Sequence, residues 1–321
     1  MRLASRDGNP ISLRKVLAAA EFVGAGDLLV DNCGSDPAEV GPGSLFAACD
    51  ATRDMVREAV RRGCAAVLSD TPVVGVAAPI CYVPDSREAL GRVCQALAGH
   101  PTRHMKVVGV AGSAGKTALS CLVAGVLHSA GASVGVLNSL GCLDGRDVDP
   151  YLRGIPESER LAQALAAMAA NGCSHVVMAV AGEDIERRRI AGVEFDAACV
   201  TCIPDGLAGS ARSAREEQWS RRLLGQLTPE GFAVLNADDP GSSSLVAGID
   251  GPALTIGVDL PAEISATIVE QSISEQTFLL VAGGEMMPVT TRMIGRHHVR
   301  NCLAAAAVGL AYGFEDRKSV G

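Results

Sequence analysis

The fold of this chain is decided by residues 106–117, which read KVVGVAGSAGKT. An apolar run with β-branched residues leads into a glycine-rich turn. An Ala-, Leu- and Val-rich segment, typical of a helix, then follows to about Ala130. Strand, glycine loop and helix in this order predict a phosphate-binding loop. Glycines let backbone N–H groups converge on phosphate oxygens, and the start of the helix adds a partial positive charge.

The predicted nucleotide-binding residues of this loop are Gly112, Ser113, Ala114, Gly115, Lys116 and Thr117. Lys116 adds a full positive charge, and the Thr117 hydroxyl is of the type that holds Mg²⁺. Val110 stands where the strict pattern has a glycine, so the loop is a variant with the core GxxGKT. The alternative is an ordinary glycine-rich turn with a solvated lysine. Lysine usage disfavours that alternative, since the basic surface positions of this chain are nearly all arginine.

Composition limits the function classes. A chain of 321 residues suits two or three domains. The formal net charge of −8 argues against a general nucleic-acid binder. No apolar run reaches the roughly 18 residues of a membrane helix, and the first residues lack the apolar core of a signal peptide. We therefore expect a cytoplasmic protein with no membrane or nucleic-acid partner.

The cysteines predict packing rather than crosslinks. Eleven of them are scattered through apolar segments, which favours free thiols in a reducing compartment. Cys199 and Cys202 form a Cys-x-x-Cys pair at the end of an expected strand. A zinc or redox role for this pair is an open alternative, but it has no second pair or histidine cluster beside it.

The expected fold class is α/β. Residues 1–102 predict a small N-terminal α/β domain, in which residues 12–20 are expected to form a short helix. Residues 103–321 predict a P-loop-type central domain with a mostly parallel sheet flanked by helices, because strand and helix patterns alternate there. Residues 252–290 predict several short strands. Ligands of such sheets bind at the carboxyl ends of the strands.

Three further sequence islands accompany the loop. NADDP at residues 236–240 follows an apolar strand, GRHHVRN at 295–301 opens an alanine-rich helix, and GSLFA at 43–47 lies in the N-terminal part. Together with the GxxGKT loop, and in this order, these islands resemble the Mur ligases of peptidoglycan synthesis. The likeness is closest to the UDP-N-acetylmuramoyl-tripeptide synthetase branch and covers about residues 27–314.

The resemblance implies ATP-driven amide bond formation with ATP and Mg²⁺ as cofactors. The substrates would be a UDP-MurNAc-peptide and an amino acid, joined through an acyl phosphate. Lys116 would be the catalytic residue that neutralises the γ-phosphate, and Thr117 the metal-binding hydroxyl. Asn301 matches the residue that contacts the adenine, and Asn236 with Asp238 matches the strand-end motif beside it. Without the family context, these three residues would be interpreted as turn and helix-surface residues.

Departures from the family pattern cluster at the expected metal site. Ala179 stands at the position of a Mg²⁺-binding glutamate, and Ala181, Gly182 and Glu183 at the positions of Ser-Ser-His. Cys202 and His298 each stand at a position where the family pattern has an asparagine. Arg221 falls near the place of a carbamylated lysine, and an arginine cannot form that ligand. Glu183, Asp184 or Asp205 could substitute as metal ligands.

Three hypotheses follow. The first is a Mur-type ligase whose C-terminal domain is expected to be absent, because the chain ends after the last helix of the central domain. The second is a degenerate paralogue that binds nucleotide or UDP-sugar without ligating. The third is an unrelated P-loop NTPase switch. It requires an aspartate on a second strand, and the strand from His175 ends instead in Val180-Ala181-Gly182.

Overall fold

The computed structural model describes residues 3–5, 8–203, 211–249 and 251–314. The helices found in these residues, in chain order, are α1 Leu13–Val16, α2 Arg53–Arg61, α3 Ser86–Leu97, α4 Lys116–Ser129, α5 Ser158–Ala170, α6 Gly182–Glu186, α7 Ala211–Leu224, α8 Pro240–Ser243 and α9 Arg296–Ala311.

The strands of the same residues, in chain order, are β1 Leu3–Ala4, β2 Ile11–Ser12, β3 Glu21–Val23, β4 Leu29–Val30, β5 Asn32–Gly34, β6 Ser44–Ala47, β7 Ala66–Ser69, β8 Ile80–Tyr82, β9 Lys106–Ala111, β10 Val134–Asn138, β11 Gly141–Leu143, β12 Val148–Asp149, β13 His175–Ala179, β14 Phe195–Val200, β15 Leu227–Asn236, β16 Ala253–Gly257, β17 Ile264–Gln271, β18 Gln276–Ala282 and β19 Glu285–Thr291.

The chain divides into two compact units. The first comprises Met1–His104 with Pro156–Ala170 and Glu186–Val193. The second comprises Met105–Ile155, Asn171–Ile185 and the chain from Glu194 onward. The first unit therefore also contains α5, which lies far along the sequence.

The first unit is built on a sheet with the strand order β1-β5-β6-β7-β8-β3. Strands β5 to β8 are parallel, and β1 and β3 pair antiparallel at the two edges. Helix α2 begins where Thr52 accepts a hydrogen bond from Met55 N–H, and it ends just before Gly63, which has φ +82°. The predicted helix over residues 12–20 is shorter in the structure: Ser12 pairs with β4 as part of β2, and the chain turns after Val16, where Ala20 N–H donates to Leu17 O.

The second unit is built on one large sheet with the order β12-β11-β10-β13-β9-β14-β15-β16-β17-β18-β19. Neighbours from β10 to β17 are parallel, and antiparallel strands flank them at both edges. This arrangement confirms the predicted α/β class and its mostly parallel sheet. Within the region predicted to form several short strands, β16 is a short parallel strand, and β17, β18 and β19 are longer strands paired antiparallel at one edge.

The alternation of side chains along β9 explains how helices cover both faces of this sheet. Val108 and Val110 are fully buried in one core with Leu119 and Val123 of α4 and with Leu303 of α9. Gly109 faces the other way, where a Cβ would lie 2.9 Å from Phe195 Cδ1 and 3.2 Å from Leu223 Cδ1 of α7. Strand β9 therefore packs between two layers of helices, which together hold its carboxyl end in place.

Candidate nucleotide-binding site

The predicted phosphate loop lies at the carboxyl end of β9 and leads directly into α4. Gly112 has φ +120°, and Gly115, the residue before the helix, has φ +83°. A Cβ on Gly112 would overlap the hydroxyl of Thr201. Both positions therefore require glycine, one for space and both for backbone conformation.

The backbone amides of the loop face outward from the start of α4. Among the described residues, the N–H groups of Ala114, Gly115, Lys116 and Thr117 donate to no acceptor. The first N–H groups of any helix have no partner inside the helix. Here they follow a glycine turn, so they form an anion-binding end of the type that holds phosphates.

Lys116 and Thr117 occupy the first turn of α4. The Lys116 ammonium donates to Gly112 O at 2.6 Å, so its charge is held against the loop itself. Thr117 Oγ1 is 2.8 Å from the hydroxyl oxygen of the exposed Ser139, which follows β10. The ammonium and the hydroxyl thus both belong to the first turn of the helix that follows the loop.

The end of β14 supports the loop from the neighbouring strand. Thr201 Oγ1 donates to Ala114 O at 2.6 Å, and Ser113 N–H donates to Cys202 O at 2.9 Å. Cys202 Sγ is 3.2 Å from Ser113 Oγ. The sequence interpretation did not single out Thr201 as a contact of the loop. Its signal is a polar residue directly after an apolar strand, since neighbouring parallel strands end at the same edge.

Asn301 lies beside the loop, as the family pattern requires of the residue assigned to the adenine. A Cβ built at Gly115 would stand 3.4 Å from Asn301 Oδ1. Asn301 is 6% exposed, and its side chain has no hydrogen bond to another described residue. His298 lies one turn earlier on α9, and its buried Nδ1 has no partner among the described residues. Burial, with the neighbouring His297, lowers the pKa of His298, so its imidazole is neutral at pH 7.

Asn236 and Asp238 occupy the carboxyl end of β15, where their polar groups hold the backbone. Asn236 Nδ2 donates to Thr201 O at 3.1 Å, and its Oδ1 accepts from Asp238 N–H at 3.1 Å. Asn236 thereby connects its strand to the residue that supports the phosphate loop.

Asp238 is a buried carboxylate with a full set of donors. Its Oδ1 accepts from the N–H groups of Asp259 at 3.0 Å and Leu260 at 2.8 Å. Its Oδ2 accepts from Val258 N–H and from Arg300 Nε, both at 2.8 Å. Burial would raise the pKa of Asp238, but these hydrogen bonds outweigh it and lower the pKa. The observed role of Asp238 is to fix the turn after β16 against α9.

The end of β13, the strand beside β9, has no carboxylate at the position where the family pattern has a Mg²⁺-binding glutamate. Mg²⁺ takes oxygen ligands, and proteins supply one or two carboxylates beside the substrate phosphates. The strand next to β9 ends in Ala179, which has no donor atom, and Asp184 accepts a hydrogen bond from Ala181 N–H at 2.8 Å. In the part of the chain that the structure describes, no group of three His, Cys, Asp or Glu side chains is suited to a metal. Asp205 lies outside the described residues.

Trp219 of α7 fills the space over Gly182, at the start of α6. A Cβ on Gly182 would overlap the indole ring, so no larger residue fits there without movement of the ring. The guanidinium of Arg215 lies 5.9 Å from the centroid of the same ring. The sequence interpretation missed Trp219, although it is the single tryptophan of the chain.

Arg221 lies away from the phosphate loop. Its guanidinium donates to Glu217 Oε1 at 2.8 Å. A Cβ on Gly248 would stand 2.6 Å from its Nη1. Arg221 also lines a cavity with Leu227 and Thr228, at the amino end of β15. This is the edge of the sheet opposite the loop, so Arg221 does not occupy a ligand position at the site.

The cysteines are free, as expected. All eleven are unpaired in the structure. Cys199 is buried, and burial raises its pKa to about 12, so it is a packing residue beside the partly exposed Cys202. Cys121, expected in an apolar segment, is exposed on α4. None of the helices in the described ranges is long and apolar enough to span a bilayer.

Comparison with known proteins agrees with this geometry. The model of the Mur ligase middle domain matches residues 110–309. The chain is 32% identical over 304 residues to the UDP-N-acetylmuramoyl-L-alanyl-D-glutamate–2,6-diaminopimelate ligase of Chlorobium phaeobacteroides, covering 89% of this chain and 59% of that protein. It is 30% identical over 291 residues to the ligase of the same name from Geobacillus thermodenitrificans, covering 87% and 59%. The chain thus spans about three fifths of the length of these curated relatives.

Solved structures show the same fold. A UDP-N-acetylmuramoyl-L-alanyl-D-glutamate–2,6-diaminopimelate ligase superposes with a TM-score of 0.80 at 20% identity, covering 95% of this chain and 64% of that one. The MurF ligase of Thermotoga maritima in complex with ADP superposes with a TM-score of 0.57 at 18% identity, covering 89% and 64%. The family model covers more than half of the sequence and includes Lys116, Asn236 and Asn301. This chain therefore belongs to the Mur ligase family.

Proposed function

We propose that this chain forms the UDP-precursor-binding and nucleotide-binding parts of an ATP-dependent acid–amino acid ligase of cytoplasmic peptidoglycan precursor synthesis. Residues 1–102 would bind the UDP-linked substrate, and residues 103–321 would bind ATP. The observation that carries the proposal is the loop at residues 112–117, with its free amides and Lys116, inside a Mur ligase middle domain.

The relatives suggest the substrates. Their names specify UDP-N-acetylmuramoyl-L-alanyl-D-glutamate and 2,6-diaminopimelate, and we propose these two for the ligase to which this chain contributes. In such a reaction a substrate carboxylate takes the γ-phosphoryl group of ATP, giving an acyl phosphate and ADP. The amine of the amino acid then attacks the acyl carbon and releases phosphate, leaving an amide bond.

Lys116 has the central part in this proposal. Negative charge on the γ-phosphoryl group must be neutralised before a carboxylate can approach it. The ammonium donates to Gly112 O of the loop at 2.6 Å, and in this proposal it would exchange that acceptor for a phosphate oxygen. Asn301 would face the nucleotide from the other side of Gly115.

A second candidate function is supported by Ala179 and by the Trp219 ring over Gly182. In this alternative, the chain binds nucleotide or UDP-sugar without ligating. Metal ions normally neutralise charge in phosphoryl transfer, so a site without their ligands loses much of its rate before it loses nucleotide binding.

Calorimetric titration tests the proposal. We expect ATP and ADP to bind the native chain and to bind Lys116→Ala at least about tenfold more weakly, the loss expected for one charge-assisted contact to phosphate. Lys15→Ala, an exposed lysine of α1 outside the site, is the matched control. Absence of nucleotide binding by the folded native chain would refute the proposal.

A second measurement separates the two candidate functions. Phosphate release is followed with ATP, the UDP-linked dipeptide and diaminopimelate present, using the full-length gene product. Release that depends on both acceptor substrates supports the ligase. Nucleotide binding without release supports the binding protein.

A further inference from the structure

Strand β13, the neighbour of β9, ends at the same edge of the sheet as the phosphate loop, and its last residue carries no metal-ligating group. Ala179 ends β13 with a methyl group, and its side chain is buried. Gly182 follows and carries the indole of Trp219 against its backbone. An apolar ring and a methyl group supply no oxygen to a hard cation such as Mg²⁺.

The same helix that brings the indole also brings a fixed cation. Arg215 precedes Trp219 by four residues, so the two side chains lie on the same side of α7. The Arg215 guanidinium stacks near the ring, 5.9 Å from its centroid. Stacking on an aromatic face restricts a guanidinium while leaving its N–H groups free to donate.

The course of the chain places this cation at the edge of the sheet where the loop lies. Strand β14 ends at Val200, and Thr201 contacts the loop. Helix α7 then runs back from that edge, so that Leu223 reaches Gly109 in the middle of β9. Arg215 lies two turns before Leu223, toward the carboxyl ends of the strands.

We propose that this site binds nucleotide phosphates without a divalent cation, and that the Arg215 guanidinium, stacked on Trp219, takes the charge-neutralising place of the metal. The inference rests on the proposed nucleotide binding but not on ligation. Lys116 and Arg215 would then contact the phosphates from two sides. The free amides of the loop would donate hydrogen bonds to the phosphate oxygens.

The single tryptophan makes the test direct, since its fluorescence reports on this site alone. ADP and ATP are titrated into the full chain with excess MgCl₂ and, separately, with EDTA. We expect the two dissociation constants to agree within about threefold, because the proposal gives the charge-neutralising role to Arg215 rather than to a metal. A dissociation constant at least about tenfold lower with Mg²⁺ would overturn the inference while leaving nucleotide binding intact. No binding in either buffer would instead refute the proposed function.

Arginine variants test the second half of the inference by calorimetry in EDTA. Arg215 is exposed, so the Arg215→Ala variant should fold. It should weaken binding about tenfold, the loss of one charge-assisted contact to phosphate. Arg221→Ala is the matched control, because this exposed arginine of the same helix lies at the opposite edge of the sheet. Equal affinities of Arg215→Ala and the native chain would overturn the role given to Arg215.

Discussion

The clearest consequence of the structure concerns Asp238, which the family pattern assigns to the nucleotide site and the structure shows as a buried anchor. Replacing it by asparagine keeps the shape and removes the charge. The Asp238 carboxylate accepts four hydrogen bonds, two on each oxygen. An asparagine can keep the two on Oδ1, while its NH₂ group must face Val258 N–H and Arg300 Nε.

The expected loss of stability follows from the number of hydrogen bonds that the Asp238→Asn variant loses. The variant loses the hydrogen bonds from Arg300 Nε and Val258 N–H, both made to a charged carboxylate and each worth about 1.5–3 kcal/mol. Arg300 has a side chain that is 28% exposed, and it keeps Asp259 at 3.0 Å, so part of its charge stays satisfied. We therefore expect the free energy of unfolding to fall by about 3 kcal/mol, at the low end for a broken buried ion pair.

Urea denaturation followed by Trp219 fluorescence measures this loss in the second unit. Asp259→Asn is the control, since its side chain is 43% exposed and it pairs with the same arginine. The control should lose less than about 1 kcal/mol. A loss below about 1 kcal/mol in Asp238→Asn, or equal losses in both variants, would refute the anchoring role.

The pH dependence gives an independent check with a defined sign. The lowered pKa of Asp238 means that its charged form is favoured in the folded state. The stabilisation is then complete above the ordinary value of 3.8 and is lost as the pH falls through the folded pKa. The difference between native and Asp238→Asn should accordingly stay constant at higher pH and shrink as the pH falls below 3.8.

Three glycine substitutions test the local geometry. Gly112→Ala, with φ +120° and no space beside Thr201, should destabilise by about 1–3 kcal/mol and abolish nucleotide binding, measured by denaturation and calorimetry. Gly182→Ala should displace the indole ring, shift the Trp219 emission and cost about 1–3 kcal/mol. Gly125→Ala, inside α4 with no atom within 4 Å of the new Cβ, should instead stabilise by about 0.5–1 kcal/mol. If Gly112→Ala is no less stable than the native chain, Gly112 does not have the positive φ on which this prediction depends.

Much of the fold could be predicted because its signals are local. The β9 loop and α4 follow from a β-branched run, glycines and an alanine-rich segment, and the structure has them within a residue or two. The short hairpin of β11 and β12 had no such signal. The placement of α5 in the first unit could not be predicted either, since that packing depends on contacts between distant parts of the chain.

The sequence predicts only those residues of the candidate site that lie in a recognisable motif. Lys116 and Thr117 lie in the motif itself, and Asn301 meets Gly115 as the family pattern implies. The roles of Thr201 and Trp219 arise from the register of neighbouring strands and from the course of α7, neither of which a motif records. The assignment of Asp238 to the nucleotide site stays a prediction, whereas its four hydrogen bonds show that its carboxylate holds the backbone.

The departures from the family pattern around Gly182 depend on one another, so a single substitution is not expected to restore the metal site. The Trp219 ring needs a glycine beneath it at position 182, which follows shortly after the end of β13. Ala179→Glu alone would place a carboxylate at a position that is 8% exposed, where it would pair with the Arg215 guanidinium that we propose in place of the metal rather than bind a cation. Restoring metal dependence therefore requires the carboxylate together with a smaller residue at position 219, which removes the ring on which Arg215 stacks. Ala179→Glu with Trp219→Ala should gain Mg²⁺-dependent nucleotide affinity in calorimetry, whereas either change alone should not. A gain from Ala179→Glu alone would show that Arg215, stacked on Trp219, does not exclude the metal.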